Sequence, residues 1–355
     1  MRVLHLIAST ERRGAEVFAV ELAQHLTTHG FHSEVIALRG GGSLPVDAVG
    51  HGRFDARTLR MLRAAIRRSS VVVAHGSTTL LATCVVRIGT DVPFVYRNIG
   101  DPDHWVDTRF RSWRVRFMLR PAARIVALWP GAAARLVERH GLDPDRVAVA
   151  ANAVDLVRFP VITSNERREA RDELDVPADA TVLAWIGALS AEKDPATAVR
   201  AAALVEGSVL LVVGDGPLRA EVEALAAASM PGRARFLSTV DDVRSALVPA
   251  DVVLLTSRTE GLPAVLIEAG MSGLPVVATA VGGVAQIVSD GLTGVLVDPD
   301  DEFAIAAGVS WALAHRASAG LAARAHCEAR FAMAGIVADW VTVLEGAVGA
   351  RPEPS

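Results

Sequence analysis

The chain has 355 residues, 51% of them hydrophobic and 21% charged, with a net charge of −4 and two cysteines. That length suits two domains of ordinary size, and that composition excludes a disordered protein. The slightly acidic balance gives no general case for nucleic acid, and Cys84 and Cys327, far apart and without metal-ligand neighbours, read as small buried hydrophobes.

The opening MRVLHLIASTERRG carries charge before a short apolar run but no small-residue cleavage pattern, so Val3 to Ile7 reads as a first strand and not as a signal peptide. No apolar segment approaches the roughly 20 residues needed to span a bilayer, and a cytoplasmic chain is expected, with peripheral membrane contact open. Ala15 to His29 then carries Val17, Val20, Leu22 and Leu26 at helical spacing, and Phe31 to Leu38 supplies a second strand. Such a strand, loop, helix, strand start suits a parallel sheet. Gly14, in the loop before the helix, permits close approach of a ligand to backbone amides; without a complete GxGxxG, a plain tight turn is the equal alternative.

Val71 to Ala74 is the next strand, and His75 at its carboxyl end is placed to face a ligand crevice or to satisfy the loop backbone. Phe94 to Arg97 is followed by a polar cluster of Arg97, Asn98, Asp101, Asp103 and His104. From Arg109 to Arg124 six arginines are interleaved with Phe110, Trp113 and Phe117. This stretch reads either as a surface helix with snorkelling arginines or as a contact for an anionic bilayer or acceptor. A strand from Arg124 to Leu128, a helix from Ala132 to Arg139 and a strand from Val147 to Ala150 complete a first domain over 1–165. The charged segment Val161 to Pro177 reads as the connection.

A second domain, 178–330, opens with strand Val182 to Ile186, a polar loop and a helix near Asp194 and Pro195. Val209 to Val213 leads into Gly214, Asp215, Gly216 and Pro217, where two glycines bring the backbone close to a ligand or simply make the turn. Pro275 to Ala278 and Gly294 to Val297 are the last strands. Three helices come after them, the last in 331–355, anchored by Trp340 and expected to pack back toward the first domain. Both halves alternate strands and helices, which predicts two doubly wound, Rossmann-like α/β domains facing a crevice at their carboxyl strand ends.

The most informative stretch is ADVVLLTSRTEGLPAVLIEAGMSG, Ala250 to Gly273. The apolar run Val252 to Leu255 ends in polar residues that pass through Gly261 and Pro263 into a helix opened by Ala264. Glu260 then lies in the loop and Glu268 a turn inside the helix, both within reach of a ligand at the carboxyl edge of a sheet.

Glu260 and Glu268, with Gly261, Pro263 and the run EAGMSGLPVVATAVGG, resemble the signature of the retaining nucleotide-sugar glycosyltransferases of the GT-B fold, family 4. Weaker matches extend the resemblance over nearly the whole chain: Arg13 to Glu16, AHGS at Ala74 to Ser77, NAVDLVRF at Asn152 to Phe159, GALSAEKDP at Gly187 to Pro195 and GDGP at Gly214 to Pro217. The resemblance implies a GT-B fold and a donor site in the second domain. In it Glu260 contacts the donor sugar, Glu268 the ribose and Lys193 the diphosphate, helped by the loop of Gly261, Leu262, Pro263 and Ala264. His75 would reach toward the donor sugar, Gly14 would lie beside phosphate or acceptor, and Gly214 and Gly216 would border the donor. Arg97, Asn98, Asp103 and His104 would line the acceptor side.

The resemblance implies no metal and no cofactor, only a nucleotide-sugar co-substrate, a UDP-sugar ahead of a GDP-sugar. The partner acceptor would be a hydroxyl compound, in glycan, glycolipid or metabolite biosynthesis. One position departs from the pattern: Ala188 stands where the family usually has an arginine, and Arg258 is a candidate to compensate. The alternatives are a sugar-nucleotide epimerase or phosphorylase of similar build, and a catalytically degenerate nucleotide-sugar-binding partner protein.

Overall fold

Short, β-branched runs that are apolar at successive positions suit strands buried on both faces of a parallel sheet. In the computed structural model, which describes residues 1–50, 55–102 and 109–349, the chain divides into two units. One comprises Met1–Ala153 with the segment from Met333 onward, and the other comprises Val154–Ala332.

The first unit runs β1 (Arg2–Ser9), α1 (Gly14–Thr28), β2 (His32–Arg39), β3 (Asp47–Ala48), α2 (Ala56–Arg67), β4 (Val71–His75), α3 (Ser77–Val86) and β5 (Phe94–Arg97). It continues through α4 (Arg109–Leu119), β6 (Arg124–Ala127), α5 (Pro130–His140) and β7 (Val147–Val149). The seven strands are parallel in the order β3-β2-β1-β4-β5-β6-β7. The order reverses direction at β1, so right-handed crossovers put α1 on one face and α2, α3, α4 and α5 on the other.

In the second unit the order is α6 (Ser164–Glu173), β8 (Thr181–Ile186), α7 (Pro195–Leu204), β9 (Ser208–Val213), α8 (Arg219–Ser229), β10 (Ala234–Leu237), α9 (Arg244–Leu247) and β11 (Val252–Leu255). Then come α10 (Ala264–Met271), β12 (Val276–Thr279), α11 (Val284–Ile287), β13 (Gly294–Val297), α12 (Glu302–Ala314) and α13 (Arg316–Phe331). Its six strands are parallel in the order β10-β9-β8-β11-β12-β13. Leu183, Trp185, Leu210, Val212, Val252 and Leu254 alternate into a core shared with α7, α8 and α12.

The last helix, α14 (Met333–Gly349), belongs to the first unit. Ile336, Val337, Trp340 and Leu344 join Phe18, Leu22 and Leu26 of α1 over Val71, Val73 and Val95 of the sheet. The first unit ends at Ala153, earlier than the boundary at 165 expected from sequence. Beyond Ala153 the chain is bonded into the second unit: Val154 N donates to Phe331 O at 3.0 Å, Ile162 N to Ser272 O at 3.3 Å, and buried Arg171 binds Asp251 at 2.7 Å. The charged segment read as a connection is thus part of the second unit, where α6 starts with a Thr163–Glu166 capping box. Among the described residues, no helix is long and apolar enough to cross a membrane.

Candidate functional site

In the second unit, adjacency of β8 and β11 lets side chains tie their carboxyl ends together. Trp185 Nε1 donates to Thr256 Oγ1 at 3.0 Å, and that hydroxyl lies 3.1 and 2.7 Å from the carbonyl oxygens of Lys193 and Asp194. The loop before α7 is thereby held beside the loop after β11. Lys193 Nζ sits 2.7 Å from Glu260 Oε1, an oxygen that also accepts from Ser257 Oγ at 2.6 Å. Glu260 is only 8% exposed, so these two donors supply the partners a buried carboxylate requires.

Asp194 caps α7 through Thr197, whose hydroxyl donates at 2.8 Å. Burial favours the neutral form of Asp194, but the Thr197 and Asp300 hydrogen bonds and the Arg258 charge outweigh it and hold the carboxyl below its ordinary range. Arg258 is committed here. Its Nη2 lies 3.3 Å from Asp194 and 2.6 Å from Asp300, and its backbone N donates to Glu192 O at 2.9 Å. The arginine offered from sequence as a replacement for the one missing at Ala188 is a brace between three loops, with its charge matched by two carboxylates.

The glycines make close backbone approaches. A Cβ on Gly214 would stand 2.0 Å from Gly187 O, and one on Gly216 2.4 Å from Leu189 O, so these two press the loop after β9 against the loop after β8. The turn-making role read from sequence is thus seen directly, as the close approach of two strand-end loops. Gly282, at φ +54°, lies against Glu260 itself: a Cβ there would meet Glu260 O at 1.8 Å. Gly283 N adds a bond to Gly261 O at 2.8 Å. Gly261, Leu262 and Pro263 are buried, and α10 begins at Ala264 with no side chain capping it. Pro263 has no N–H to offer, so the donors at this partly positive helix end are the amides around it. Glu268, half-buried, lies one turn farther along from Ala264 on the same helix face. Thr256, Ser257, Trp185 and Gly282 were not singled out from sequence. The polar pair ending an apolar run and the Gly-Gly after β12 were their signals.

In the first unit the strand-end residues behave differently. His5, His75 and Arg97 follow Val3, Val73 and Val95 at the same strand parity, so they share the face that packs on α1 and α14. His75, expected to face a ligand, is 4% exposed, with its Nε2 3.2 Å from His5 Nδ1 and its Nδ1 3.3 Å from Arg97 Nη1. Arg97, expected on the acceptor side, is fully buried. It donates to Asn152 Oδ1 and stacks 3.8 Å over the Phe18 ring. Trp340 closes the cluster with its ring centroid 6.3 Å from that of His75.

Burial, reinforced by the Arg97 charge, pushes His5 down to about 3 and His75 well below the ordinary histidine value. Burial likewise lowers Arg97 to about 9 against the opposing pull of Glu16, and burial raises the Glu16 carboxyl. Both corrections have one cause: strand alternation turns these side chains inward, which residue type could not reveal.

Of the remaining expected residues, half-buried Asn98 donates to Gly100 O at 2.8 Å, and exposed Gly14 is the first residue of α1, whose N-terminus has no side-chain cap. Asp103 and His104 lie outside the described residues.

Residues 12–158 match the family described as Glycosyltransferase Family 4, and residues 166–329 that described as Glycosyl transferases group 1. The chain is 36% identical over 202 residues to a D-inositol 3-phosphate glycosyltransferase of Salinispora tropica, a match over 52% of this chain that spans 42% of the relative's length. Among solved structures, Anabaena HepE in complex with UDP and glucose superposes with a TM-score of 0.87 at 20% identity, over 97% of this chain and 99% of that one. Sucrose-phosphate synthase of Thermosynechococcus elongatus superposes at 0.83 with 19% identity, over 99% of this chain and 100% of that one.

Proposed function

The chain belongs to the GT-B glycosyltransferases of group 1 and family 4, and on that premise we propose that it moves a sugar from a nucleoside-diphosphate donor to a hydroxyl acceptor with retention of configuration. The observation that carries this reading is the Lys193–Glu260 pair, held at 2.7 Å beside the uncapped start of α10. It sets one cation, oriented amides and one buried carboxylate at the carboxyl edge of a parallel sheet, where α/β folds bind their ligands.

In the reaction the bond between the anomeric carbon and the diphosphate oxygen breaks, and the acceptor oxygen bonds to that carbon on the same face. The acceptor proton passes to the departing diphosphate. Charge gathers on that leaving group, where Lys193 and the α10 amides stabilise it without a metal. Glu260 holds the sugar hydroxyls and supports positive charge developing on the ring. Glu268 takes the ribose. The UDP bound by HepE supports a UDP-sugar ahead of a GDP-sugar. The acceptor is a hydroxyl compound such as a lipid-linked glycan, a small metabolite or a natural product. The reaction is assigned to the cytoplasm, with peripheral membrane contact through the Arg109–Arg124 stretch.

Nucleotide release from a panel of UDP-, GDP-, ADP- and dTDP-sugars, monitored by mass spectrometry, tests the reading. Wild type should release nucleotide from one donor, and Glu260→Ala should lower the rate by about 10²-fold, the kinetic equivalent of about 3 kcal/mol. A donor that binds, by thermal shift, without any turnover even in the presence of acceptor mixtures would leave only the degenerate binding-protein reading.

A further inference from the structure

On the sheet face of the first unit opposite α1, helices α2, α3 and α4 lie side by side, and what they turn to solvent is unusual. The middle helix, α3, contains no charged residue, and its outward positions Leu81 and Val85 are exposed, with Ile88 at 71% exposure just past its end. Beyond Ser77 and Thr78 its outward side is apolar, and an exposed apolar strip of this kind is ordinarily a contact surface. Beside it, α4 exposes a stacked pair, Trp113 and Phe117, at 62% and 66%, their ring centroids 5.9 Å apart. On the other side α2 exposes Met61.

Within α2, α3 and α4 the charges have one sign, although exposed Asp55 caps α2 and exposed Asp91 follows Ile88 by three residues. Neither 56–90 nor 108–137 contains an aspartate or glutamate, although the whole chain has more acidic than basic residues. Arg60 and Arg67 on α2, and Arg114 and Arg116 on α4 with Arg120 just past its end, are exposed. The layer is also braced. Arg63 of α2 donates to the carbonyls of Val86 and Ile88, both at 2.7 Å, and Cys84 Sγ of α3 lies 3.4 Å from Met118 O of α4. Three helices therefore present one preformed surface.

We infer that α2, α3 and α4 together form a docking surface for an anionic lipid bilayer, with the apolar strip entering the headgroup boundary and the arginines meeting lipid phosphates on either side. The chemistry favours lipid over an acidic protein. The apolar side chains are exposed on the outward side of the helices, Trp113 and Phe117 by more than half, and a bilayer accepts exposed Trp, Phe and Leu while arginine stems snorkel to its phosphates. The surface extends the contact expected from the arginine-rich stretch alone to two further helices whose sequences gave no such sign. Taken with the glycosyl-transfer reading, on which this last step rests, it points to an acceptor presented at the membrane.

Co-sedimentation with phosphatidylcholine vesicles, with and without phosphatidylglycerol, tests the inference on the full chain. Wild type should bind only the anionic vesicles and release as salt rises from about 0.1 to about 0.5 M. Three double variants separate the helices: Arg60→Glu with Arg67→Glu in α2, Leu81→Ser with Val85→Ser in α3, and Trp113→Ser with Phe117→Ser in α4. Each should weaken binding by about tenfold while leaving wild-type nucleotide release in vesicle-free buffer, which also shows that each is folded. Absence of binding to anionic vesicles overturns the proposal, as does loss confined to the α4 variant, since one helix would then account for everything. Self-association in sedimentation that disappears in the α3 variant, with no vesicle binding, assigns the surface to a second copy instead. Donor turnover is read separately, so failure of the membrane surface and failure of glycosyl transfer give different results.

Discussion

Both units carry charged or titratable residues on or just beyond their parallel strands, yet they use them in opposite ways. In the second unit Lys193 remains 27% exposed while it pairs with buried Glu260, beside a helix start that no side chain caps. In the first, His5, His75 and Arg97 are sealed under Phe18 and Trp340. The difference is that Lys193 and Glu260 stand in loops past the ends of β8 and β11, whereas His5, His75 and Arg97 lie within β1, β4 and β5 on the face that α1 and α14 cover. Strand-end position alone does not make a ligand site; the direction of the side chain decides.

The largest effect that should sharpen this contrast is on stability. Arg97→Met keeps much of the volume but removes the charge opposite Glu16 and the donor to Asn152. It should destabilise the first unit by about 3–5 kcal/mol in urea unfolding, as loss of one partner from a buried charge network does. Donor affinity, which the proposed reading assigns to the second unit, should change far less. A stable Arg97→Met protein with altered acceptor KM would restore Arg97 to the acceptor side.

A pH effect of comparable size belongs to the same cluster. His5 and His75 titrate lower when folded than the ordinary value near 6.5 of an unfolded chain, so below that pH the unfolded state binds protons that the folded state refuses. Their contribution is present above about pH 6.5 and is lost as pH falls toward about 3. The slope is about 1.4 kcal/mol per pH unit for each histidine. Arg97 faces both histidines and depresses them further, while Glu16, raised by burial, gives a smaller term of opposite sign at acid pH. Urea midpoints at pH 7 and pH 5 should differ for wild type, and the difference should shrink for His5→Gln, to what His75 alone contributes; an unchanged difference would remove His5 from the account.

Gly282→Ala addresses the second unit's site without touching a charged group. Its positive φ and the 1.8 Å approach to Glu260 O force the loop carrying that glutamate to move. Nucleotide release should fall by about tenfold, or about 1.4 kcal/mol, with the first unit's stability unaltered. The smallest effect is expected from Arg258→Ala. An ion pair this exposed contributes under about 1 kcal/mol, so donor KM should rise by no more than about threefold. A loss of turnover as large as that of Glu260→Ala would show that Arg258 does replace the arginine missing at Ala188.

Much of the architecture was legible without coordinates. Short apolar runs and 3.6-residue patterns with their turn residues located both sheets, and the Glu260–Glu268 spacing pointed to the candidate site. The charged segment after Ala153 was not read correctly, because its allegiance rests on long-range bonds such as Arg171 to Asp251 that leave no local pattern.

The sequence by itself determined the alternating strand and helix order, the family likeness and the residue types that a nucleotide-sugar site requires, because these are properties of near neighbours in the chain. Only the tertiary structure decided that Lys193 meets Glu260, that Arg258 is held by Asp194 and Asp300, and that His75 and Arg97 belong to a buried core. It also assembled α2, α3 and α4 into one basic, apolar-studded layer. Each of these depends on which face of a strand or helix is covered by elements distant in sequence, and such coverage is a property of packing.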